Sequence, residues 1–198
     1  TKKIEVADTP FAGTIRALLT TLESKDPYTA SHQRRVTTLS LAMAVEMGLP
    51  KETQEALKLA SVVHDLGKIA VPLDILNKPG KLTTHEFGLI KEHPWTGYDI
   101  LKTVTFPYPI AEIVYQHHER MDGSGYPRGL KGNDIYIEAR IIAVADCVEC
   151  VTAHRPYRPA LGLDKALEEI KKGKGIGYDS DVVEACLRLF TEKSYKFE

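Results

Sequence analysis

Two apolar helical runs in this chain each carry an aspartate among aliphatic neighbours. One reads Ala60-Ser61-Val62-Val63-His64-Asp65-Leu66-Gly67-Lys68, the other Ile141-Ile142-Ala143-Val144-Ala145-Asp146-Cys147-Val148. A carboxylate in such surroundings is costly unless it is paired or bound to a metal, so the fold must bring partners to both. His64 adjoins Asp65, and His117-His118 follow the apolar Ile110-Ala111-Glu112-Ile113-Val114-Tyr115. His32 lies early in another helical pattern, and His93 stands just before Pro94. Singly, such a histidine reads as a satisfied core or surface residue and such an aspartate as an ion-pair partner. Together, His32, His64, Asp65, His93, His117, His118 and Asp146 give seven N/O donors at helix ends or on apolar helices. Imidazole and carboxylate suit first-row divalent ions such as Mn, Fe, Ni or Zn. Seven ligands exceed what one catalytic ion uses and point to two ions sharing a bridging carboxylate. His85 and His154 lie in more polar stretches and are left out of the set.

The rest of the pattern is helical almost throughout. Thr9 and Pro10 suit the N-cap and first position of a helix carrying Phe11, Ile15, Leu18, Leu19 and Leu22 at helical spacing. A second helix, starting near Thr29, turns Val36, Leu39, Met43 and Met47 inward before Gly48 stops it. A third opens at Pro50, presents Ala56, Leu59, Ala60 and Val63, and is expected to end at Gly67. Thr83 and Glu86 form a capping-box signature, Pro94 begins the next helix, and Pro109 the one that reaches His117. An apolar helix follows from Ile137 to about Thr152. Two amphipathic helices then surround Lys171-Lys172-Gly173-Lys174-Gly175, a solvated turn, the last from about Ser180 to Thr191. Between Arg120 and Asn133 periodicity gives way to a stretch with four glycines and a proline, read as a long ordered loop, of a length that is usually functional or disordered. No polar/apolar alternation is long enough for a sheet. The expected fold is all-α, without internal repeats.

A chain of 198 residues hides roughly 70% of the surface its unfolded form exposes, enough for one full core. Its 26 Lys+Arg against 27 Asp+Glu exclude the basic excess of a nucleic-acid polymer binder. Cys147, Cys150 and Cys186 are an odd set without a disulfide framework, which favours a reduced, cytoplasmic setting. Cys147 and Cys150 have no second pair to close a zinc site, so they read as buried structural thiols. No apolar stretch of about 18 residues could span a membrane. The Thr1-Lys2-Lys3-Ile4 start lacks both Met and a signal-peptide core and reads as a cut inside a longer protein, with processing as the alternative.

The order of these motifs resembles a known family. His64-Asp65-Leu66-Gly67-Lys68 is similar to the signature of the HD phosphohydrolase superfamily. His118-Glu119-Arg120-Met121-Asp122-Gly123-Ser124-Gly125-Tyr126-Pro127-Arg128-Gly129-Leu130 resembles the second signature of its HD-GYP subfamily. Asp26-Pro27-Tyr28-Thr29 with His32, Arg35 and Val36 also matches, as do Val71-Pro72, Lys78-Pro79-Gly80, His93-Pro94-Trp95-Thr96-Gly97, Ala143-Val144-Ala145-Asp146 and Arg155-Pro156-Tyr157-Arg158. The likeness covers roughly residues 24 to 190.

The resemblance implies an HD-type helical bundle over residues 24–198, with additional C-terminal helices and a long Gly-rich loop. Residues 1–23 would be a helix or linker toward an upstream sensory or receiver domain. It implies cleavage of the second messenger cyclic di-GMP to linear pGpG and, in some members, GMP. One ion, Fe or Mn first and Ni or Zn as alternatives, would be held by His32, His64, Asp65 and Asp146. The second would take Asp65, His93, His117 and His118, with Asp65 bridging. Lys68 would sit beside the scissile phosphate, Gly125, Tyr126 and Pro127 would shape the substrate mouth, and Arg155 and Arg158 would reach phosphate oxygens. Surface ion pairing is the alternative for the two arginines, and loop packing for Tyr126.

Two metals about 3.5–4 Å apart lower the pKa of a bridging water and clamp attacking and leaving oxygens. Lys68 adds a mobile ammonium, and Arg155 and Arg158 offer bidentate forks. Some members of the family bind a third metal through a Glu one turn before the first histidine. Here that position is Tyr28, so two ions are expected. Gly175-Ile176-Gly177-Tyr178-Asp179-Ser180 only approximates the family's Gly-Thr-x-Phe-Asp-Pro, a departure bearing on packing rather than chemistry. The competing functions are a catalytically quiet cyclic-dinucleotide receptor, a generic HD nucleotidase and a phosphodiesterase for a related cyclic dinucleotide such as cyclic GMP-AMP. A homodimer through the N-terminal helix would be in keeping with these.

Overall fold

In a computed structural model, residues 12–25, 27–153 and 160–197 are described. The expected start at Thr9, Pro10 and Phe11, and both Arg155 and Arg158, lie outside the described residues, as does the side chain of Tyr28. Among the described residues the chain forms α1 (Ala12–Lys25), α2 (Pro27–Glu46), α3 (Lys51–Val63), a 3-10 turn (Leu66–Ala70), α4 (Leu73–Leu76), α5 (Thr84–Ile90), α6 (His93–Leu101), α7 (Ile110–Gln116), α8 (Ile137–Thr152), α9 (Leu163–Gly173) and α10 (Ser180–Thr191). These residues hold no strand, as the all-α expectation requires.

The sequence accounts for most helix ends. Thr83 accepts from the Glu86 backbone N–H while the Glu86 carboxylate accepts from the Thr83 N–H, a complete capping box for α5. Gly48, at φ +67°, closes α2. Its N–H donates to Val45 O, and Leu49 N–H to Ala44 O, so a glycine at this left-handed position satisfies carbonyls the helix end orphans. Asp179 accepts from the N–H groups of Asp181 and Val182 to start α10. α2 begins at Pro27, slightly before the Thr29 expected. Lys171 and Lys172 fall in the last turn of α9, where Lys172 pairs with Glu168.

One boundary differs in a way that shapes the site. α3 ends at Val63 rather than at Gly67, and His64 and Asp65 lie at the break before the 3-10 turn. The reason lies across the fold. A Cβ on Gly67 would come within 1.9 Å of His93 O and 2.6 Å of Gly97 N, so the chain leaves the helix to lay Gly67 directly on the α6 backbone. Lys25, in the last turn of α1, donates to Ile69 O at 2.5 Å and Val71 O at 2.7 Å and ties down the far side of that turn.

Behind this break, α2 packs on α3 and α8, and α9 and α10 cover the outer side of α8. Val36, Leu39 and Met43 from α2 meet Leu57 and Val63 from α3, Ile113 and Val114 from α7, and Ile141, Ile142, Val144 and Val148 from α8 in one buried core. Each fully buried aliphatic side chain contributes about 1.5–3 kcal/mol relative to exposure, so this core fixes the helix ends that present the polar residues.

Candidate metal centre

All seven donors anticipated from the sequence meet at one place. His32 comes from α2, His64 from the C-terminal cap of α3, His93 from the first residue of α6, His117 from the cap of α7, and Asp146 from the middle of α8. Asp65 and His118 follow the two caps directly. Three of these imidazoles are held by the same local device. The Nδ1–H of His64 donates to Ser61 O at 2.7 Å, that of His93 to Ile90 O at 2.7 Å and that of His117 to Val114 O at 2.6 Å. A carbonyl only accepts, so Nδ1 carries the proton and Nε2 presents a lone pair to the interior. Carbonyls near helix ends are free to play this part because the ladder leaves them unpaired.

Asp65 lies between two sets of donors. Its Oδ2 is 3.4 Å from His32 Nε2 and 3.6 Å from His64 Nε2, while its Oδ1 is 3.5 Å from His93 Nε2. Asp146 Oδ1 adds a second carboxylate 3.4 Å from His32 Nε2. On the other side, His93 Nε2 is 3.2 Å from His117 Nε2, and the rings of His117 and His118 are 4.1 Å apart between centroids. His93, His117 and His118 form one cluster able to hold an ion, and His32, His64 and Asp65 another.

The arrangement fits a cation. His93 Nε2 and His117 Nε2 face each other as two lone pairs, because both Nδ1 protons are already donated. His64 Nε2 is buried without a hydrogen-bond partner among the described residues. Neutral imidazoles and ionised carboxylates are the donor forms a first-row divalent ion requires. Burial, reinforced by neighbouring histidines, lowers His117 and His118 well below the usual imidazole range and holds His93 at about 4. For Asp65, burial alone would raise the carboxyl, but Lys68 and His64 hold it well below the ordinary range. Asp146, against the same burial, is held at about 2 chiefly by His32 and His64. His32 goes the other way: burial opposes its charge, but hydrogen bonds to Asp65 and Glu149 outweigh that and push it up to about 9.

Glu149 and Cys150 belong to the site although sequence reasoning did not select them for it. Glu149 is fully buried, accepts from His32 Nδ1 at 2.5 Å, and is clamped by Arg35 through Nε at 2.8 Å and Nη2 at 2.6 Å. Cys150 donates to Asp146 Oδ1 at 3.2 Å. The signal was present, since both stand three and four residues after Asp146 on one face of an apolar helix. The burial expected for Cys147 and Cys150 is corrected, because both are only half-buried.

The substrate-side residues divide as follows. Lys68 Nζ pairs with Asp65 Oδ2 at 2.6 Å at the edge of the centre. Tyr126 stacks on His118, centroids 4.8 Å apart, with Lys91 over its ring at 5.1 Å. Gly125 packs against the Glu119-Arg120 backbone, where a Cβ would come within 2.4 Å of Arg120 N, and Pro127 is exposed. The buried Glu119 carboxylate organises this loop, accepting from the N–H of Arg128 at 2.7 Å and of Leu130 at 3.0 Å. The approximate Gly175–Ser180 segment serves packing: Gly177 O accepts from Met121 N–H, Tyr178 stacks under Arg120, and Asp179 holds Arg140.

The HD domain family model matches residues 16–182. The chain belongs to the HD domain family. Its second signature marks it as HD-GYP in type, and the solved structure of an HDG"Y"P protein from Bdellovibrio bacteriovorus shares its fold at a TM-score of 0.68, with 22% identity over 80% of this chain and 51% of that one. A cyclic di-GMP phosphodiesterase of Thermotoga maritima is 43% identical over 172 residues, 86% of this chain and 47% of the relative. The 3'3'-cGAMP-specific phosphodiesterase 1 of Vibrio cholerae is 39% identical over 168 residues, 84% of this chain and 39% of the relative. The chain thus spans less than half the length of these relatives. No described helix is long and apolar enough to cross a membrane.

Proposed function

We propose that this HD domain hydrolyses cyclic di-GMP to linear pGpG on two divalent ions, with onward cleavage to GMP as the alternative end point. The observation that carries the reading is Asp65, whose two oxygens face different donor sets. His32, His64, Asp65 and Asp146 would hold one ion and Asp65, His93, His117 and His118 the other, with Fe or Mn favoured over Ni or Zn. When bound, the ions supply a nucleophilic water at neutral pH and relieve charge on the phosphoryl oxygens.

The chain's own residues do the rest. Lys68 keeps its proton, since Asp65 and Asp146 outweigh its burial and raise its pKa, so it meets a phosphate as a full positive charge. Burial pushes the Tyr126 phenol up to about 12, leaving it a hydroxyl donor at neutral pH. Its ring, fixed on His118, offers a flat wall to a base or ribose at the mouth formed with Gly125 and Pro127. Arg155 and Arg158 are proposed as forks for the non-reacting phosphate oxygens.

Likeness to a 3'3'-cGAMP phosphodiesterase supports cyclic GMP-AMP as a second substrate reading. Protein loaded with Mn²⁺, or with Fe²⁺ under anaerobic conditions, is incubated with each dinucleotide and the linear products are followed. Cyclic di-GMP turnover to pGpG is the expected result. Exclusive turnover of cyclic GMP-AMP would move the assignment to that substrate, and binding without turnover of either would favour a receptor.

A further inference from the structure

Cys150 occupies a position that the ligand assignment above leaves without a role. It stands one turn after Asp146 on α8, and its Sγ lies 3.2 Å from Asp146 Oδ1, the oxygen that is itself 3.4 Å from His32 Nε2. Ligand atoms of His32, Asp146 and Cys150 lie within 4.8 Å of one another, a third cluster able to hold an ion and one sharing His32 with the His32, His64 and Asp65 group. The adjoining group that shares His32 supplies a second observation. His64 Nε2, fully buried, has no hydrogen-bond partner among the described residues. Neither of the other thiols belongs to one of these clusters, and Cys186 is buried in the core on α10.

We propose that Cys150 is a sulfur donor to the ion held by His32, His64, Asp65 and Asp146, biasing that position away from Mn²⁺ toward more thiophilic divalent ions and so favouring Fe²⁺ of the two ions preferred above. The inference rests on the two-ion reading and adds to it a soft ligand. Thiolates favour Zn²⁺ and Cd²⁺ over Mn²⁺, which prefers oxygen. On binding, the Cys150 S–H bond breaks, a sulfur–metal bond forms, and the proton leaves to buffer. No oxidation state changes. Displacing the thiol proton frees Asp146 Oδ1 of the hydrogen bond it now accepts, so both donors turn to the ion together.

The test loads metal-free protein with Co²⁺, follows binding by calorimetry and records the near-ultraviolet spectrum. The wild-type protein is expected to develop a sulfur-to-cobalt charge-transfer band. Cys150→Ser should bind Co²⁺ without the band, and Cys147→Ser should keep both. The preference for Cd²⁺ over Mn²⁺ should drop roughly tenfold or more in Cys150→Ser. Cys150→Ala provides the same comparison should the serine variant fold poorly. Bound Co²⁺ without a band in the wild type, or a band that survives in Cys150→Ser, overturns the sulfur ligand and leaves the two-ion reading standing. No Co²⁺ binding at all overturns both.

Discussion

The two halves of the centre are built from different chemistry. The pocket around His32, His64 and Asp146 contains two buried or half-buried carboxylates and is backed by a third, Glu149. The pocket around His93, His117 and His118 contains three imidazoles and borrows a carboxylate oxygen from Asp65. The electrostatic result is opposite in sign at His32, although burial lowers its neighbour His64 as it lowers the histidines of the second pocket. In the first pocket a histidine is driven to hold a proton, its pKa raised to about 9, whereas in the second, burial drives His93 down to about 4. The first pocket attracts positive charge before any ion arrives. The second relies on lone pairs and on one shared oxygen.

That asymmetry makes Asp65 the residue whose loss does most. Asp65→Ala should abolish binding of both ions and bring cyclic di-GMP turnover to background, while helicity by circular dichroism is kept. Calorimetry with Mn²⁺ measures the first and product analysis the second. Retention of a tight site in the imidazole pocket would break the comparison, because that pocket would then not need the borrowed oxygen.

Glu149 should produce a smaller and one-sided effect. A carboxylate that fixes the tautomer and basicity of a ligating histidine is typically worth roughly 10–100-fold in metal affinity. Glu149→Gln should therefore weaken the carboxylate-rich pocket by that factor and leave the imidazole pocket alone. Ion titrations with the second pocket disabled by His117→Ala isolate the first. Equal weakening of both pockets would show that Glu149 acts on the fold as a whole.

Much of this was legible in the sequence, and the reasons it stopped are physical. Helix boundaries set by local chemistry, such as the Thr83 capping box and the Gly48 close of α2, could be read directly. The end of α3 could not, since Gly67 is required by the α6 backbone, more than twenty residues away in sequence. Similarly, His64, Asp65, His117, His118 and Asp146 stood out because they lie in or directly after apolar runs, and the isolated His32 and His93 joined that set. Glu149 interrupts one too, yet its partners His32 and Arg35 lie over a hundred residues earlier, and only the packing of α2 on α8 joins them. Cys150 was hidden for a different reason, because a thiol in an apolar run is ordinary until its neighbour is known.

The smallest effect is a count of protons, and it tests the asymmetry most directly. In the metal-free protein His32 is protonated at pH 7, its hydrogen bonds to Asp65 and Glu149 having overcome burial and raised it to about 9. An ion entering that pocket must displace this proton. His93, at about 4, and His117 and His118, lowered well below the imidazole range, are already neutral at pH 7, so an ion entering their pocket displaces none. In a Cys150→Ser background, where no thiol proton contributes, the carboxylate-rich pocket should release about one proton per ion and the imidazole pocket about zero. Calorimetry in two buffers of different ionisation enthalpy reads that count. Affinity in the first pocket should then rise about tenfold per pH unit from pH 6 toward 9 and level off, while affinity in the second stays flat. For the metal-free fold the sign reverses. The charged His32 contributes stability that is fully present below its ordinary pKa of 6.5 and is lost as pH rises through about 9. The metal-free protein should thus be less stable at pH 9 than at pH 6 by thermal unfolding, under the conditions where the first pocket binds its ion most tightly. Equal proton release from both pockets would mean that the carboxylates do not divide the centre as their positions require.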